Sequence, residues 1–376
     1  MAALRGITWE HARGFDSVVE SAKAYQRVAP DVKVQWEFRS LQAFADQPIE
    51  KLASEFDLLV IDHPHIPLVA ETGLFAPLDS CGHDDQLQLL STQSVGPSHE
   101  SYRHNGRQYG LATDAAAQVS AYRPDLIDAP PQTWDEVLEL AREGRVLWPY
   151  KPIDAFSSLL TLAANSGEQA MAQADRFLSD ETAHATLEFM RKLVAHVPAD
   201  NAGWNPIQAA DALSTSNRWA YCPLLFGYSN YSRPGFRPNR LAYVDIPGVT
   251  GSLLGGAGIA VSASSRNLEA SIDHAFWLAS AEVQEGVYYD SGGQPGNAAA
   301  WESDRVNEDS LNFFRGTRAT LEAAHVRPRH RRFIELQDAL SPLVAEALTG
   351  RIDDTELIQR LNSATAEYLG GSHADH

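Results

Sequence analysis

The chain has 376 residues, which at roughly 150 residues per domain predicts about two domains. Hydrophobic residues make up 44% and charged residues 21%, as in globular proteins with a sizeable core, so a disordered chain is excluded. The 49 acidic residues outnumber the 30 Lys and Arg and give a net charge of −19. An acidic surface repels phosphate groups, so we expect no nucleic-acid partner and no anionic membrane.

The two cysteines, Cys81 and Cys222, are too few and too far apart for a disulfide scaffold or a multi-cysteine zinc module. We expect two free thiols, with a single disulfide as the alternative. No apolar run approaches the 18 residues of a membrane span. The first residues run directly into a strand-like segment and lack the pattern of a secretory leader. Either the protein is cytoplasmic or its leader has been removed.

The amino-terminal part alternates between strand and helix periodicity. Residues 4–9 are apolar and strand-like, and residues 15–25 repeat apolar side chains at helical spacing. Residues 32–38 alternate as a half-buried strand, and residues 57–62 are apolar inside, as in a central parallel strand. This order predicts an α/β domain, in which ligands collect beyond the carboxyl ends of the strands. Glu10, His11, His63 and His65 follow such strands.

The rest of the chain predicts a second α/β unit. Short strands are expected at residues 110–113, 118–122 and 145–150, and Thr133 with Glu136 forms a capping box that begins a helix. Further strands are expected at residues 219–228, 241–246 and 259–262. Further helices are expected at residues 155–165, 181–197, 272–289, 333–348 and 354–369.

Enzyme motifs are largely missing from the sequence. It contains no G-x-S-x-G elbow, no phosphate-binding G-x-x-x-x-G-K-[ST] loop and no H-E-x-x-H. The run Gly255-Gly256-Ala257-Gly258 precedes a predicted strand, whereas a dinucleotide loop must follow one. We interpret it as a tight turn, or as bare backbone that a ligand can approach closely.

Histidines and carboxylates leave two interpretations open. If Asp62-His63-Pro64-His65 is extended, both histidines point to the same side and, with Glu10 and His11, could form a mononuclear metal site. The simpler expectation is that they face a polar ligand or water, with no metal and no cofactor. Asp62, Asp114 and Asp154 are separate candidates for acid–base chemistry, because spacing alone cannot pair them.

Aromatic residues at predicted strand ends and helix starts are candidates for the walls of a pocket. Aromatic faces combined with Asp, Glu and His suit a sugar, or a quaternary ammonium held by cation–π contacts. These aromatic candidates are Trp9, Tyr150, Phe156, Phe226 and Tyr228.

The order of several motifs resembles the extracellular solute-binding proteins of family 1, the maltose-binding-like class that serves ABC importers. Residues 104–141 are similar to its strand, linker and strand followed by a Pro-Pro-x-Thr-Trp-Asp-Glu helix. Ile246-Pro247-Gly248 with the later GGAGIAVSASS, and the turn at residues 292–296, also match in order. The resemblance covers nearly the whole chain.

The resemblance implies a two-lobed α/β fold of the periplasmic-binding-protein type with the ligand cleft between the lobes. The amino-terminal lobe would hold residues 1–112 and 255–302, and the other lobe residues 113–254 and 303–376. Hinge closure would enclose a small polar solute, with carbohydrate or polyol favoured, and no chemistry would follow. It further implies a periplasmic or extracellular monomer that delivers its solute to ABC transporter permease subunits.

The family's contact positions can be carried over one at a time. With Asp114 and Tyr150 from the residue patterns, the expected ligand-binding residues are Trp9, Glu10, His11, Asp62, His63, His65, Asp114, Tyr150, Asp154, Phe156, Phe226, Tyr228, Gly255 and Gly256. Because the first loop is unusually charged, a cationic or carboxylated metabolite stays open as the ligand. Two other functions also stay open: an α/β hydrolase that uses Asp62, His63 and His65, and a cytoplasmic ligand sensor with the same fold.

Overall fold

The computed structural model describes residues 2–40, 48–173, 175–248 and 251–370. The chain divides into two compact units, each built from two segments. Unit 1 holds residues 1–116 and 255–308, and unit 2 holds residues 117–254 and 309–376. Of the three boundaries between these segments, those after residues 116 and 308 lie a few residues later than the expected lobe boundaries at 112 and 302.

Unit 1 is built on a mixed sheet. Its strands are β1 (Ala2–Trp9), β2 (Val32–Arg39), β3 (Leu58–Ile61), the first half of β6 (Leu111–Tyr122) and most of β9 (Leu254–Val261). The order in this sheet is β2-β1-β3-β9-β6. β1 pairs in parallel with β2 and β3, whereas β9 is antiparallel to β3. A separate small hairpin joins β4 (Arg103–His104) and β5 (Arg107–Gln108).

Helices cover both faces of this sheet. The first part of unit 1 contains α1 (Asp16–Val28), α2 (Ile49–Glu55), α3 (Ile66–Glu71) and α4 (Asp84–Thr92). The second part contains α9 (Leu268–Ala279), α10 (Ala281–Val283), α11 (Ala298–Glu302) and α12 (Asp304–Asp309). Alternate residues of β3 enter two different hydrophobic clusters, Leu58 and Val60 in one and Leu59 and Ile61 in the other. This two-sided burial explains why the strand is wholly apolar, as the sequence predicted.

Unit 2 is more helical. Its first part contains α5 (Trp134–Arg142), α6 (Pro152–Asn165), α7 (Asp180–Val194) and α8 (Pro206–Thr215). The strands β7 (Tyr221–Phe226) and β8 (Ala242–Val244) pair antiparallel with the second half of β6. After the second boundary come α13 (Phe313–Gly316), α14 (Arg318–Glu322), α15 (Phe333–Leu348) and α16 (Asp354–Leu369). The Thr133 capping box of α5 is confirmed, and so are the last two helices, α15 and α16.

Four predictions of secondary structure were wrong. The strands expected at residues 110–113 and 118–122 are one strand, β6. The strand expected at 145–150 is a single bridge between Val146 and Tyr221. The glycine run 255–258 lies inside β9, where absent side chains let a neighbouring strand approach, rather than in a turn before it. The helix expected at 272–289 is interrupted after Ala279 and continues as a π-helical segment, Gln284–Tyr288.

The sequence predicts neither a disulfide bond nor a membrane span. Cys81 and Cys222 are both free thiols, as predicted. In the described ranges, every helix is too short or too polar to cross a membrane.

One buried polar group in the core of unit 1 makes stability depend on pH. His274 in α9 is fully buried and packs against the rings of Tyr25, Trp36 and Trp277. Neither ring nitrogen has a hydrogen-bond partner among the described residues. Burial lowers the pKa of His274 from 6.5 to about 3. The folded protein therefore keeps this imidazole neutral where the unfolded chain would protonate it.

We predict that His274→Leu makes the protein less sensitive to acid. The contribution of neutral His274 is present above pH 6.5 and is lost as the pH falls towards 3, at up to about 1.4 kcal/mol per pH unit. Melting temperatures from pH 7 to pH 4 should therefore fall less steeply for the variant than for the wild type. His196→Leu, at an exposed histidine, is the matched control and should follow the wild type. Parallel curves for His274→Leu and the wild type would contradict this prediction.

Candidate functional site

The carboxyl edge of the sheet in unit 1 collects the predicted site residues of that unit. β1 ends at Trp9 directly beside Arg39 at the end of β2, and the backbone N–H of Glu10 donates to the carbonyl of Arg39 at 2.8 Å. Asp62 follows the end of β3. Because β9 is antiparallel to β3, with Ile61 opposite Gly258, its beginning at Gly255 and Gly256 lies at the same edge. Unit 1 therefore brings together the residues that the sequence placed after separate strands.

Arg39 belongs to this edge and was missed by the sequence analysis. Its side chain is buried, and burial lowers its pKa to about 10 while the nearby Asp62 charge opposes that shift. Arg39 therefore remains cationic at neutral pH beside a carboxylate. Its position at the end of the alternating strand β2 could have indicated a place at this edge. In the sheet, β2 is separated from β3, which precedes Asp62, by β1 alone.

The loop between β1 and α1 holds the neutral imidazole of His11 in one tautomer. The backbone N–H of Arg13 donates to Nδ1 of His11 at 3.0 Å, and the carbonyl of His11 accepts from the N–H groups of Gly14 and Phe15. Since Nδ1 is an acceptor, the neutral imidazole carries its proton on Nε2. Glu10 is exposed and His11 half-buried, so this loop presents a carboxylate and an imidazole N–H.

Trp9 is packed more tightly than the sequence suggested. Only 6% of it is exposed, and a Cβ added to Gly14 would lie 2.4 Å from its ring. The ring belongs to the core cluster that includes Leu4, Val18 and Trp36. Little of the Trp9 ring surface is therefore exposed for the expected stacking against a ligand.

The two histidines of the Asp62-His63-Pro64-His65 run do not point to the same side, which is a correction. Residues His63–His65 form a turn of 3₁₀ helix, in which successive side chains are about 120° apart. His63 is buried, with its ring 6.5 Å from that of Tyr102, whereas His65 is half-buried. Within the described part of the chain, no group of three or more His, Cys, Asp or Glu side chains is placed to hold a metal ion.

The structure also differs from the expectation that Asp114 contacts the ligand. Asp114 is 1% exposed and both of its oxygens accept hydrogen bonds from Arg13, with Nε to Oδ2 at 2.6 Å. Its carboxylate is thus engaged inside unit 1 and is not offered to a solute. Gly256 packs against the same strand, since a Cβ there would lie 2.4 Å from the Asp114 carbonyl oxygen.

In unit 2 the predicted residues follow two neighbouring chain segments. The segment before α6 runs parallel to β7, with Val146 bridged to Tyr221, so Tyr150 and Asp154 follow on the same side as Phe226 and Tyr228. Tyr150 stacks on Trp148 with ring centroids 5.4 Å apart. Phe226 is half-buried at the end of β7, and Tyr228 is 9% exposed.

Phe156 is not part of this face. It has no exposed surface and packs against Phe177 in the core of unit 2, so its ring is engaged within that core. The apolar start of α6 gives the same sequence pattern for a pocket wall and for a core residue. A small polar pocket in unit 1, lined by Gln93, Ser94, His99 and Asn297 among others, contains none of the predicted site residues.

Asp154 is the most unusual group in unit 2. It lies in the first turn of α6 and is 6% exposed, and its Oδ2 has no hydrogen-bond partner among the described residues. Burial raises its pKa to about 8, against the opposing charge of Lys151. The group is therefore largely protonated at neutral pH, where it can both donate and accept a hydrogen bond.

Comparison with known proteins identifies the family of this chain. Residues 20–313 match the family model described as bacterial extracellular solute-binding protein. The chain belongs to this family. The predicted resemblance is confirmed, and the family consists of binding proteins rather than enzymes.

Individual relatives of this solute-binding chain are distant. The maltotriose-binding protein of Pyrococcus abyssi is 28% identical over 119 residues, which are 32% of this chain and 25% of that protein. Maltose-bound MalE3 of T. maritima superposes with a TM-score of 0.85 at 18% identity, covering 98% of this chain and 100% of that one. A solute-binding protein from Agrobacterium vitis S4 with bound D-mannitol gives 0.79 at 14% identity, covering 99% of each chain. The α/β fold of the periplasmic-binding-protein type is thus shown.

We predict that Asp154→Asn raises stability at alkaline pH. A folded-state pKa raised from 3.8 to about 8 gives a contribution that is complete below pH 3.8 and is lost as the pH rises through 8. The amide copies the protonated carboxyl and does not ionise. The difference in melting temperature between variant and wild type should therefore grow from pH 5 to pH 9.

The matched control is Asp128→Asn, at an exposed position of unit 2. Its melting temperature should follow the wild type throughout this range. If Asp154→Asn also followed the wild type, the buried carboxyl would be ionised in the folded protein.

Proposed function

We propose that this protein captures a small carbohydrate or polyol and delivers it to an ABC importer without chemical change. The observation that carries the proposal is the family match over residues 20–313. The fold shared with proteins solved with maltose, D-mannitol and ribitol supports the ligand class. Residues of both units are proposed to contact the same solute, and the partner is proposed to be the permease of the transporter.

The chemistry of the site residues suits a ligand with many hydroxyl groups. Glu10 and Asp62 offer carboxylate acceptors, His11 offers an N–H, and Asp154 in its protonated form offers both functions. Arg39 beside Asp62 balances that carboxylate, so this part of the edge has little net charge. Glu10 is the remaining carboxylate of this edge, so a cationic solute stays the alternative to a neutral one. Phe226, which is half-buried at the end of β7, supplies an apolar face for the C–H surface of a sugar ring.

Location, oligomeric state and catalysis follow from the same proposal. We propose a place outside the cytoplasmic membrane, because the family is extracellular. A monomer stays a prediction, as does closure on the solute, which should lower the radius of gyration in small-angle scattering. Mass spectrometry of the solute after long incubation should recover it intact.

A thermal-shift screen with maltose, maltotriose, D-mannitol, ribitol and tagatose tests the proposed ligand class. A solute that binds only the folded protein raises stability by RT ln(1 + [L]/Kd), about 2.7 kcal/mol at a hundredfold excess over Kd. We expect at least one of these probes to raise the melting temperature, with choline as a cationic comparison and citrate as an anionic one. A shift with a charged compound alone would overturn the carbohydrate assignment.

We predict that Phe226→Ala weakens the binding of the selected probe by at least about tenfold, or about 1.4 kcal/mol. The reason is that Phe226 is half-buried at the end of β7 and truncation removes an apolar contact surface. Trp134→Ala is the control, because Trp134 opens α5 and packs against Phe189. It should lower the melting temperature and leave the affinity measured by calorimetry unchanged. The reverse pattern would place the binding face of unit 2 elsewhere.

A further inference from the structure

A buried ion pair ties the first loop of unit 1 to a strand about 100 residues later. Arg13 lies in the loop between β1 and α1, and Asp114 lies in β6. The exposed fractions of their side chains are 5% and 0%. The guanidinium binds the carboxylate with two parallel hydrogen bonds, from Nε to Oδ2 at 2.6 Å and from Nη2 to Oδ1. This fork defines both the distance and the orientation of the two groups.

The Asp114 end of the pair is rigidly held. Gly256 has a φ of +88°, and a Cβ there would lie 2.4 Å from the Asp114 carbonyl oxygen. On the other side, a Cβ on Gly296 would lie 3.0 Å from the Asp114 backbone nitrogen, and Asp114 is bridged to Pro295. The strand is thus packed by bare backbone on both sides. A shift of Asp114 would require both neighbouring segments to move.

The Arg13 end of the pair holds the loop that carries Glu10 and His11. The backbone N–H of Arg13 donates to Nδ1 of His11 at 3.0 Å, and its carbonyl accepts from the Ser17 hydroxyl at 2.8 Å. The Thr8 hydroxyl donates to the carbonyl of Gly14 at 3.0 Å. Arg13 therefore connects β6 to the segment that carries Glu10 and His11.

Stabilisation of the fold does not by itself explain the buried Arg13–Asp114 pair. Removing two charges from water is energetically costly, and apolar replacements of buried pairs are often neutral or stabilising. The pair does, however, add a link to β6 for a loop whose other hydrogen bonds described above join it to itself, to the start of α1 and to the end of β2. Preorganising such groups lowers the entropy that binding must otherwise supply.

We propose that Arg13 is a positioning residue that holds Glu10 and His11 in place for the solute by anchoring their loop to Asp114. This inference rests on the proposed function, because it assumes that the loop contacts the solute. Arg13 itself acts through the loop and does not touch the solute.

The test compares Arg13→Lys with Arg123→Lys. Lysine keeps the charge and loses the fork, since it is a point charge with no planar geometry. Arg123 is the control, because its buried guanidinium makes a fork of the same geometry, at 2.7 and 2.6 Å, to Asp125 in unit 2, whose side chain is 54% exposed. A double variant, Arg13→Met with Asp114→Leu, avoids leaving an unpaired buried charge if the single variant folds poorly.

The first readout is amide hydrogen exchange without any solute. The N–H groups of Gly14 and Phe15, which donate to His11, should exchange at least tenfold faster in Arg13→Lys and in the double variant. The amides of α1 beyond Ser21 should be unchanged, and Arg123→Lys should leave the loop amides at the wild-type rate. If both Arg13 variants keep wild-type exchange in this loop, the positioning role is overturned.

The second readout is affinity for maltotriose by calorimetry on the folded fraction. We expect at least a tenfold loss for Arg13→Lys and no loss for Arg123→Lys. Equal affinities in wild type and Arg13→Lys would overturn the role in binding even if the loop is loosened. If the wild type binds neither maltotriose nor any other probe of the screen, the proposed function fails, and loop exchange still decides whether Arg13 positions the loop.

Discussion

The close approach of β6 and β9 is the constraint on which unit 1 depends. Gly256 lies against the backbone of Asp114 with no room for a Cβ, and Gly296 does the same from the other side. At this place β9 joins β3 to β6 in one sheet. The same spacing fixes Asp114, and through Asp114 the guanidinium of Arg13. The packing of β6 against β9 and against the segment at Gly296 thus determines where the Arg13 side chain lies.

The sequence predicted most elements, because local signals and tertiary packing agree there. The wholly apolar β3 and the Thr133 cap of α5 are examples, since burial on two faces and a reciprocal cap leave direct marks in the sequence. The glycine run 255–258 was misread because glycine indicates a turn when neighbours are unknown. Inside β9 it serves a close approach that only the partner strand makes necessary.

The candidate site was less predictable than the fold. Strand order places Glu10 and Asp62 at one edge, and that placement needed only the parallel α/β pattern. The Arg13–Asp114 pair joins residues 101 positions apart, and no local pattern distinguishes Asp114 engaged by an arginine from Asp114 facing a ligand. Phe156 shows the same difficulty for an apolar residue at the start of a helix. Arg39 was missed because one arginine after an alternating strand is usually a solvated end.

The two-segment construction of unit 1 has a consequence for how the chain folds. β3 is complete once residue 61 has been synthesised, but its antiparallel partner residues in β9 are 258–261. About 200 residues must therefore leave the ribosome before one edge of this wholly apolar strand is covered. Contacts so distant in sequence slow folding, because the closing loop must lose its entropy before the pairing is gained. During synthesis, the uncovered edge of β3 is therefore exposed to pairing with other chains for as long as those residues are still missing.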